Sequence, residues 1–277
     1  MRGSQVNQKR WAETLLSAGD EDRVWELFHE NSKLSRYDSG LYGHEILERI
    51  KRLHESLPFE GYPAVPLPRE TAPLKLSLAD AITTRVSVRD MRPSQLTLKQ
   101  AGTLLRHAYG VTREGSGSFP RSLRVVPSGG ALYPLEIFFH SARIKGLRAG
   151  LYHYNPSESR VRLLREGDET RRIAKAMVQT EVALNAALIV FITAFFERSV
   201  FKYKDRGYRF VLLEAGHVAQ NLNLVSNALG LGALNIGGFF DREIDDFLGL
   251  DGVTHSTIYM VAIGKPAARP SASPDKA

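Results

Sequence analysis

Residues 127–134 read Pro127-Ser128-Gly129-Gly130-Ala131-Leu132-Tyr133-Pro134, and this stretch constrains the fold more than any other. Two adjacent glycines remove the Cβ atoms that would keep a flat ligand away from the backbone, and they tolerate positive φ angles. The prolines at both ends restrict φ, so the loop keeps a defined shape. A rigid loop beside the arginines of 121–124 suits a planar, anionic cofactor. The same residues are also typical of an ordinary turn, and the loop alone does not decide between the two.

The composition is that of an ordinary globular protein. Of 277 residues, 43% are hydrophobic and 24% are charged, and the net charge is +7. The basic residues are dispersed, without the clustered stripe that is typical of nucleic-acid-binding proteins. Because the sequence contains no cysteine, disulfides, cysteine-ligated zinc, iron–sulfur clusters and a thiol nucleophile are excluded. We find no secretory signal and no apolar run of membrane length, and predict a cytoplasmic protein that binds no nucleic acid, membrane or metal.

The sequence divides into three regions. Residues 1–76 are predicted to form a helical extension, with amphipathic segments between 8 and 55 and a proline-rich, extended connector at 56–76. The main domain is predicted at 77–265. Residues 266–277 are rich in proline, serine and alanine, and we expect them to be disordered.

The main domain shows both helical and strand patterns. Apolar residues recur with helical spacing at 97–109, where Gly110 ends the pattern, and a long helix is predicted at 206–229. Apolar runs predict strands at 136–140, 150–154, 161–164, 187–193, 231–236 and 256–263. Because these elements do not alternate as regular βαβ units, we predict an α+β fold.

Two further clusters could bind parts of an anionic ligand. Arg85, Ser87 and Arg89 share one side if their segment is extended, and guanidinium groups pair well with phosphate oxygens. Gly237 and Gly238 follow a predicted strand and precede a helix, where backbone N–H groups can bind a ring edge. A solvated strand face and a simple turn explain the same patterns without any ligand.

Lys202 and Tyr203 form the cluster most suited to proton transfer. They are adjacent near the predicted start of the long helix, and either side chain can act as a general base. A cation at a helix N-terminus is unfavourable to the helix dipole, which favours a functional reason for this lysine. A charged, solvated helix end is the simpler interpretation.

The ordered set of these clusters resembles the SagB/ThcOx-type dehydrogenases, a branch of the FMN-dependent nitroreductase superfamily. The resemblance covers about residues 77–265. Each motif is modest alone, but their order is specific. The matching motifs are Arg85-x-Ser87-x-Arg89, Arg124 to Pro134, Gly150-Leu151-Tyr152-His153-Tyr154, Lys202-Tyr203-x-x-Arg206-x-Tyr208-Arg209, Glu214-Ala215-Gly216-His217 through Asn221, Gly230-Leu231-Gly232 and Gly237-Gly238-Phe239.

The resemblance implies a nitroreductase-like fold, in which helices flank a mainly antiparallel central sheet. It also implies a homodimer with FMN in two sites at the subunit interface. Arg85, Ser87 and Arg89 would hold the FMN phosphate and ribityl chain, with Lys265 as a weaker match. The isoalloxazine would lie against the loop residues Pro127, Ser128 and Gly129 and against the backbone of Gly237 and Gly238.

The implied reaction is oxidation of a thiazoline or oxazoline ring, in a modified peptide, to the aromatic azole. Lys202 or Tyr203 would remove the ring proton while hydride moves to the flavin, and oxygen would reoxidise the flavin. A cyclodehydratase complex is the implied partner. Three alternatives stay open: an NAD(P)H-dependent nitro- or quinone reductase, oxidation of a carrier-bound heterocycle in a nonribosomal pathway, and a non-catalytic scaffold subunit.

Three further expectations concern single positions and the N-terminal region. Gly130 stands where the family tolerates alanine or glycine, so its identity should matter little. His217, inside the predicted long helix, is expected to be buried and hydrogen-bonded rather than catalytic. Residues 1–76 are expected to pack against the partner subunit, or else to bind a leader peptide.

Overall fold

The structure is a computed structural model that describes residues 24–36, 43–116 and 121–267. Residues 8–23 and 37–42 of the helical region predicted at 8–55, and residues 268–277 of the tail predicted at 266–277, lie outside the described residues. The helices are α1 (Val24–Asn31), α2 (Gly43–Arg52), α3 (Leu78–Thr83), α4 (Leu98–Tyr109), α5 (Thr170–Lys175), α6 (Thr180–Asn185), α7 (Glu197–Tyr203), α8 (Asp205–Ala228) and α9 (Asp241–Leu248).

The strands form one large sheet and two small ones. They are β1 (Ala64–Pro66), β2 (Met91–Arg92), β3 (Leu96–Thr97), β4 (Val111–Arg113), β5 (Leu123–Arg124), β6 (Leu135–Ser141), β7 (Ile144–Lys145), β8 (Gly150–Asn155), β9 (Arg160–Glu166), β10 (Leu188–Phe195), β11 (Gly232–Ile236) and β12 (His255–Pro266). The large sheet has the order β1-β9-β8-β6-β10-β12-β11, with β2 paired to β12. All of its pairings are antiparallel, which confirms the predicted α+β fold with a mainly antiparallel sheet.

Helices cover both faces of this sheet. The core on one face contains the apolar sides of α4 and α8, and the core on the other contains those of α5, α6 and α9. The central strand β10 is buried along nearly its whole length because both of its faces contact helices, which explains why its sequence is continuously apolar. The sheet is therefore the middle of three layers.

The predicted elements are found close to their expected bounds. Helix α4 begins after Thr97, whose side chain forms a capping box with Gln100, and it ends at Gly110 as expected. The structure adds detail in two segments. The connector at 56–76 contributes a strand, β1, which pairs with β9, and the 85–89 segment makes one isolated bridge rather than a strand.

The antiparallel order brings one end of each of four strands to the same end of the sheet. Strands β6 and β12 begin there, whereas β10 and β11 end there. The glycine loop at 127–134 comes directly before β6, and the glycine pair at 237–238 comes directly after β11. Both glycine segments of the sequence therefore lie at the same end of the sheet.

The N-terminal helices pack against their own chain. Arg206 and Arg209, in the first turns of α8, donate hydrogen bonds to Ser32. The ring of Phe28 meets that of Tyr208 edge-on at 5.4 Å. The described part of the extension therefore covers the start of α8. No helix among the described residues has the length and apolar character required to cross a membrane.

Candidate functional site

The loop at 127–134 has an unusual backbone conformation. Residues 129–131 form a short helical turn in which Gly130 has a φ of 64°. Ala131 and Tyr133 also have positive φ, at 51° and 47°. Each positive φ at a residue with a Cβ costs roughly 1–2 kcal/mol, and such strain persists only where the surroundings hold it. Of the predicted loop residues, Pro127 is exposed, and Ser128 and Gly129 are half-buried.

The lysine–tyrosine pair lies at the end of a short helix, not at the start of the long one. Lys202 and Tyr203 form the last turn of α7, and α8 begins at Asp205. Between α7 and α8, Lys204 has a φ of 49°, which breaks the helical path and lets α8 pack against α7. Because a cation is favourable near a helix C-terminus, the argument from an unfavourable helix dipole was wrong. The position of the pair at the tip of a helical hairpin is the observation that matters.

A close approach between α7 and α8 makes this hairpin. A Cβ on Gly207 would lie 2.9 Å from backbone atoms of Ser199 and Val200. The Ser199 hydroxyl donates to the carbonyl oxygen of Gly207 at 3.1 Å. Glycine is required here because any side chain would push the two helices apart, and with them the residues at the tip.

The tip of the hairpin and the glycine loop are in direct contact. A Cβ on Gly130 would lie 2.5 Å from the Tyr203 hydroxyl oxygen and 2.8 Å from Lys202 Nζ. The expectation that alanine is tolerated at this position is therefore wrong for this chain: the side-chain ends would have to move, and φ would be strained. A Cβ on Gly129 would likewise meet the ring of Phe210, at 2.9 Å.

Aromatic rings support the pair from the side. The ring of Tyr203 meets that of Phe210 edge-on, with 4.9 Å between the centroids. Lys202 Nζ lies 5.0 Å from the centroid of the Tyr203 ring. The ammonium and phenol groups are thus next to each other and to a loop without side chains. The space that a Cβ would take at Gly129 and Gly130 is therefore filled by the Phe210 ring and by the polar ends of Lys202 and Tyr203.

A buried ion pair anchors α7. Arg198 lies one turn before Lys202, and its guanidinium group is 2.6 Å from the carboxylate of Glu136 on β6. His153 Nε2 and the Ser56 hydroxyl also contact this carboxylate, at 2.7 Å and 3.0 Å. Burial alone would raise the pKa of Glu136, but Arg198 and the His153 hydrogen bond hold it well below its usual value. The carboxylate is therefore charged and fixes α7 on the sheet.

A second buried carboxyl group lies beneath the glycine loop. Glu214 on α8 is only 2% exposed. The hydroxyl of Tyr109 donates to Glu214 Oε1 at 2.7 Å, and the Ser128 side chain lies near this carboxyl group and lowers its pKa. Burial raises the pKa of Glu214 to about 7, although Ser128, the Tyr109 hydrogen bond and the charge of Arg124 oppose the shift.

The other predicted site residues lie along the edge strand β11. Ser87 forms a bridge with Ala233, near the start of the strand. Val88 is buried against Gly232, where a Cβ would lie only 2.7 Å from the valine side chain. Ser87 itself is exposed. The 85–89 segment thus covers the start of β11 with its polar side chains directed away from the core.

Three cations lie close to the start of this strand. Arg85 is half-buried and Arg89 is exposed. Lys265 lies on β12, one residue beyond the pair that begins the β11–β12 ladder. Within the described ranges of the chain, none of the three forms an ion pair with a carboxylate. Unpaired cations of this kind can bind a phosphate group.

The glycine pair lies at the other end of β11. Gly237 and Gly238 are exposed, and the carbonyl oxygen of Gly238 accepts a hydrogen bond from Val178 at 3.0 Å. In the part of the chain that the structure describes, the N–H groups of both glycines donate to no other group. Two free N–H groups on an exposed backbone are suited to the polar edge of a ring.

The two groups of residues fit a planar, phosphate-bearing cofactor. Backbone without side chains, free N–H donors and unpaired cations are the features that such a ligand requires, and all are present. The structure brings the loop at 127–130 together with Lys202 and Tyr203. It places 85–89, Lys265 and the glycine pair in a separate group on β11.

Two features of this region were not found from the sequence. Glu136 and Glu214 act through partners far away in the chain, so no local pattern indicated their roles; the only signal was that both are acidic residues within strongly apolar elements.

The prediction that His217 is buried was wrong, because this residue lies on the exposed face of α8.

Comparison with known proteins agrees with this geometry. The profile of the Nitroreductase family matches residues 82–265, more than half of the chain. The protein MJ1384 of Methanocaldococcus jannaschii, named as a nitroreductase, is 40% identical over 175 residues, which are 63% of this chain and 85% of the relative. The microcin B17-processing protein McbC of Escherichia coli is 32% identical over 174 residues, 57% of this chain and 58% of McbC.

A solved structure has the same fold. It is the Escherichia coli microcin synthetase McbBCD complex with truncated pro-MccB17 bound. One chain of that complex aligns with a TM-score of 0.55 and 23% sequence identity. The alignment covers 87% of this chain and 91% of that one. Proteins of this family are FMN-dependent, and the features of the candidate site fit such a cofactor. The chain belongs to the nitroreductase family.

Proposed function

We propose that this protein is an FMN-dependent oxidase that converts thiazoline or oxazoline rings of a modified peptide into thiazoles or oxazoles. The observation that supports this most is the contact of Gly130 with Lys202 and Tyr203. It joins the proposed flavin-binding loop to two proton-transfer groups within one chain. The relatedness to a microcin-processing protein supports an azoline as the substrate.

The proposed reaction removes two hydrogens from the ring. FMN, when bound, supplies the two-electron acceptor, and dioxygen takes up the electrons afterwards to give hydrogen peroxide. The neutral amine of Lys202 or the phenolate of Tyr203 would accept the proton from the ring carbon, since the polar ends of both side chains lie beside Gly130 of the loop against which the ring would stack. Aromatisation supplies driving force, so the protein has mainly to orient the ring and provide a base.

Two sets of residues are proposed to hold the cofactor. Arg85, Arg89 and Lys265, which form no ion pair among the described residues, would bind the phosphate, together with the Ser87 hydroxyl, and hold the ribityl chain. The isoalloxazine would lie between the loop residues 127–129 and the free N–H groups at 237–238.

The glycine loop precedes β6, whereas the cations and the glycine pair lie at β11, and β10 and β12 separate these two strands in the sheet. This separation supports a homodimer. Each chain would then contribute its loop and hairpin to a site whose phosphate end belongs to its partner. Tyr208, Leu212 and Leu213 leave 38%, 42% and 60% of their surface exposed on α8, and apolar exposure of this kind is typical of an interface. We propose that α8 contributes to the dimer contact, which sedimentation of the purified protein would test.

The test of the proposed activity combines spectroscopy and mass spectrometry. The purified protein should be yellow, and incubation with an azoline-containing peptide in air should lower the peptide mass by two hydrogens. Removal of dioxygen should stop the reaction after one turnover for each bound FMN. A colourless protein that does not bind added FMN would support a scaffold role and contradict the proposal.

A reductase is the second candidate. The protein MJ1384, named as a nitroreductase, covers most of the same region, and the same flavin site could accept electrons from NAD(P)H. Addition of NAD(P)H without oxygen would then bleach the flavin within seconds. The proposed oxidase should remain yellow under these conditions and should bleach when the azoline peptide is added.

The substrate is proposed to come from a modified peptide, made by a cyclodehydratase complex with which this chain associates. The structurally similar McbBCD complex contains a truncated pro-MccB17, which supports this kind of partner. A heterocycle on a nonribosomal carrier protein presents the same ring. Parallel assays with the free peptide and with a carrier-bound azoline would show which presentation is used.

A further inference from the structure

A chain of contacts connects Glu214 to both ends of the glycine loop. At the first end, the Ser128 side chain lies close enough to the Glu214 carboxyl group to lower its pKa, and Ser128 Oγ accepts the N–H of Tyr133 at 3.0 Å. At the second end, the Tyr109 hydroxyl donates to Glu214 Oε1 at 2.7 Å and accepts the N–H of Leu135 at 3.3 Å. One carboxyl group on α8 thus fixes the loop where it begins and where it joins β6.

The loop does not keep its conformation by itself. Positive φ angles at Gly130, Ala131 and Tyr133 are costly for the latter two residues, and hydrogen bonds are needed to hold them. The contact with the lysine–tyrosine pair is made at Gly130, between the two points that Glu214 fixes. A loosened loop would change this contact first.

We infer that Glu214 is a positioning residue, which holds the glycine loop against the Lys202–Tyr203 pair. This inference rests on the proposed function only where it gives the contact between Gly130 and the Lys202–Tyr203 pair a role in the reaction. The connection from Glu214 to the loop does not depend on any cofactor. Glu214 reaches the surface proposed for the flavin through Ser128, and it acts on the Lys202–Tyr203 pair through Ser128 and Tyr109.

The link should depend on pH. A charged carboxylate can accept hydrogen bonds from both hydroxyl groups, whereas a protonated one must use one oxygen as a donor and weakens one of them. The groups that face Glu214 are Tyr109 from α4, Arg124 from β5 and Ser128 from the loop, with Glu136 of β6 acting on Tyr109. Arg124 stacks on the Tyr109 ring at 4.2 Å and partly compensates the charge. The raised pKa of Glu214 places the change within the neutral range.

Amide hydrogen exchange of the peptide covering 127–135 tests this link without any cofactor. After correction for intrinsic rates, the wild-type loop should exchange about tenfold more slowly at about pH 8 than at about pH 6, which corresponds to one hydrogen bond to a charged group. Glu214→Gln should exchange at the faster rate at both pH values. Asp245→Asn is the matched control, since Asp245 is also buried and hydrogen-bonded, to Ser256 and Thr257, but lies on α9.

The affinity for FMN, measured by titration at the same two pH values, gives a second result. We expect the wild type to lose affinity at the lower pH by more than Glu214→Gln does, and Asp245→Asn to follow the wild type. Wild-type protection of the loop in Glu214→Gln at about pH 8 would overturn the inference. Failure to bind FMN, with the exchange result as expected, would instead contradict the proposed function and leave the positioning role in place.

Discussion

Stability should fall with rising pH because of Glu214, and the substitution Glu214→Gln should remove this dependence. Burial raises the pKa of this carboxyl group to about 7 in the fold, from an ordinary value of 4.5. Between pH 4.5 and about 7, the carboxyl group is therefore protonated in the folded state and ionised in the unfolded state. By linkage, the contribution of Glu214 to stability is complete below the lower pKa and is lost as the pH rises through the higher one.

The two pKa values give the magnitude. Each pH unit between 4.5 and about 7 corresponds to 1.36 kcal/mol, so the total is about 3 kcal/mol, and most of it falls between about pH 5 and about pH 8. His255 acts in the opposite direction, since burial lowers its pKa to about 4 and stability is lost as the pH falls. His255 is the same in both proteins, so the difference between wild type and variant isolates Glu214.

Urea unfolding followed by circular dichroism, at several pH values and equal FMN content, measures this difference. The free energy of unfolding of the wild type should decrease by about 2–3 kcal/mol more than that of Glu214→Gln between about pH 5 and about pH 8. Equal slopes for the two proteins would refute the argument, since Glu214 would then have the same pKa in the folded and unfolded states.

Two further predictions concern the two groups of site residues. Gly130→Ala should reduce azoline oxidation at least about tenfold, because its Cβ would displace the lysine–tyrosine pair. The control is Gly249→Ala, at a glycine with a φ of 76° and open space around it. This variant should lose about as much stability as Gly130→Ala, roughly 1 kcal/mol, but no activity. Full activity of Gly130→Ala would show that the contact is unimportant. Arg85→Ala combined with Arg89→Ala should weaken FMN binding, increasingly so at low salt, whereas riboflavin, which lacks the phosphate, should bind equally to both proteins.

Periodicity and turn chemistry were sufficient to predict most of the elements. The helix predicted at 97–109 and the buried strand predicted at 187–193 are found at 98–109 and 188–195. Both could be predicted because their signals are local: a capping residue, a glycine and a continuous apolar run. Local patterns could not show that α7 is separate from α8. The separation depends on the positive φ of Lys204 and on close helix packing at Gly207.

The candidate site was predicted in parts but not as a whole. The sequence indicated the glycine loop and the lysine–tyrosine pair, but their contact at Gly130 depends on how α7 packs against the sheet. That packing is fixed by the ion pair between Glu136 and Arg198, which are 62 positions apart in the sequence. Glu214 is likewise defined by distant partners. Pairings across such distances leave no periodic signal, so only the folded chain reveals them.

The central claim is that Lys202 and Tyr203, beside the glycine loop, remove the proton during oxidation of an azoline ring. It is tested most directly by mass spectrometry of an azoline peptide after incubation with wild type, Lys202→Ala, Tyr203→Phe and the control Lys175→Ala, a surface change on α5. With FMN content matched, we predict loss of two hydrogens with the wild type and the control, and at least about a hundredfold slower loss with the other two variants. Full activity in both Lys202→Ala and Tyr203→Phe would contradict the account.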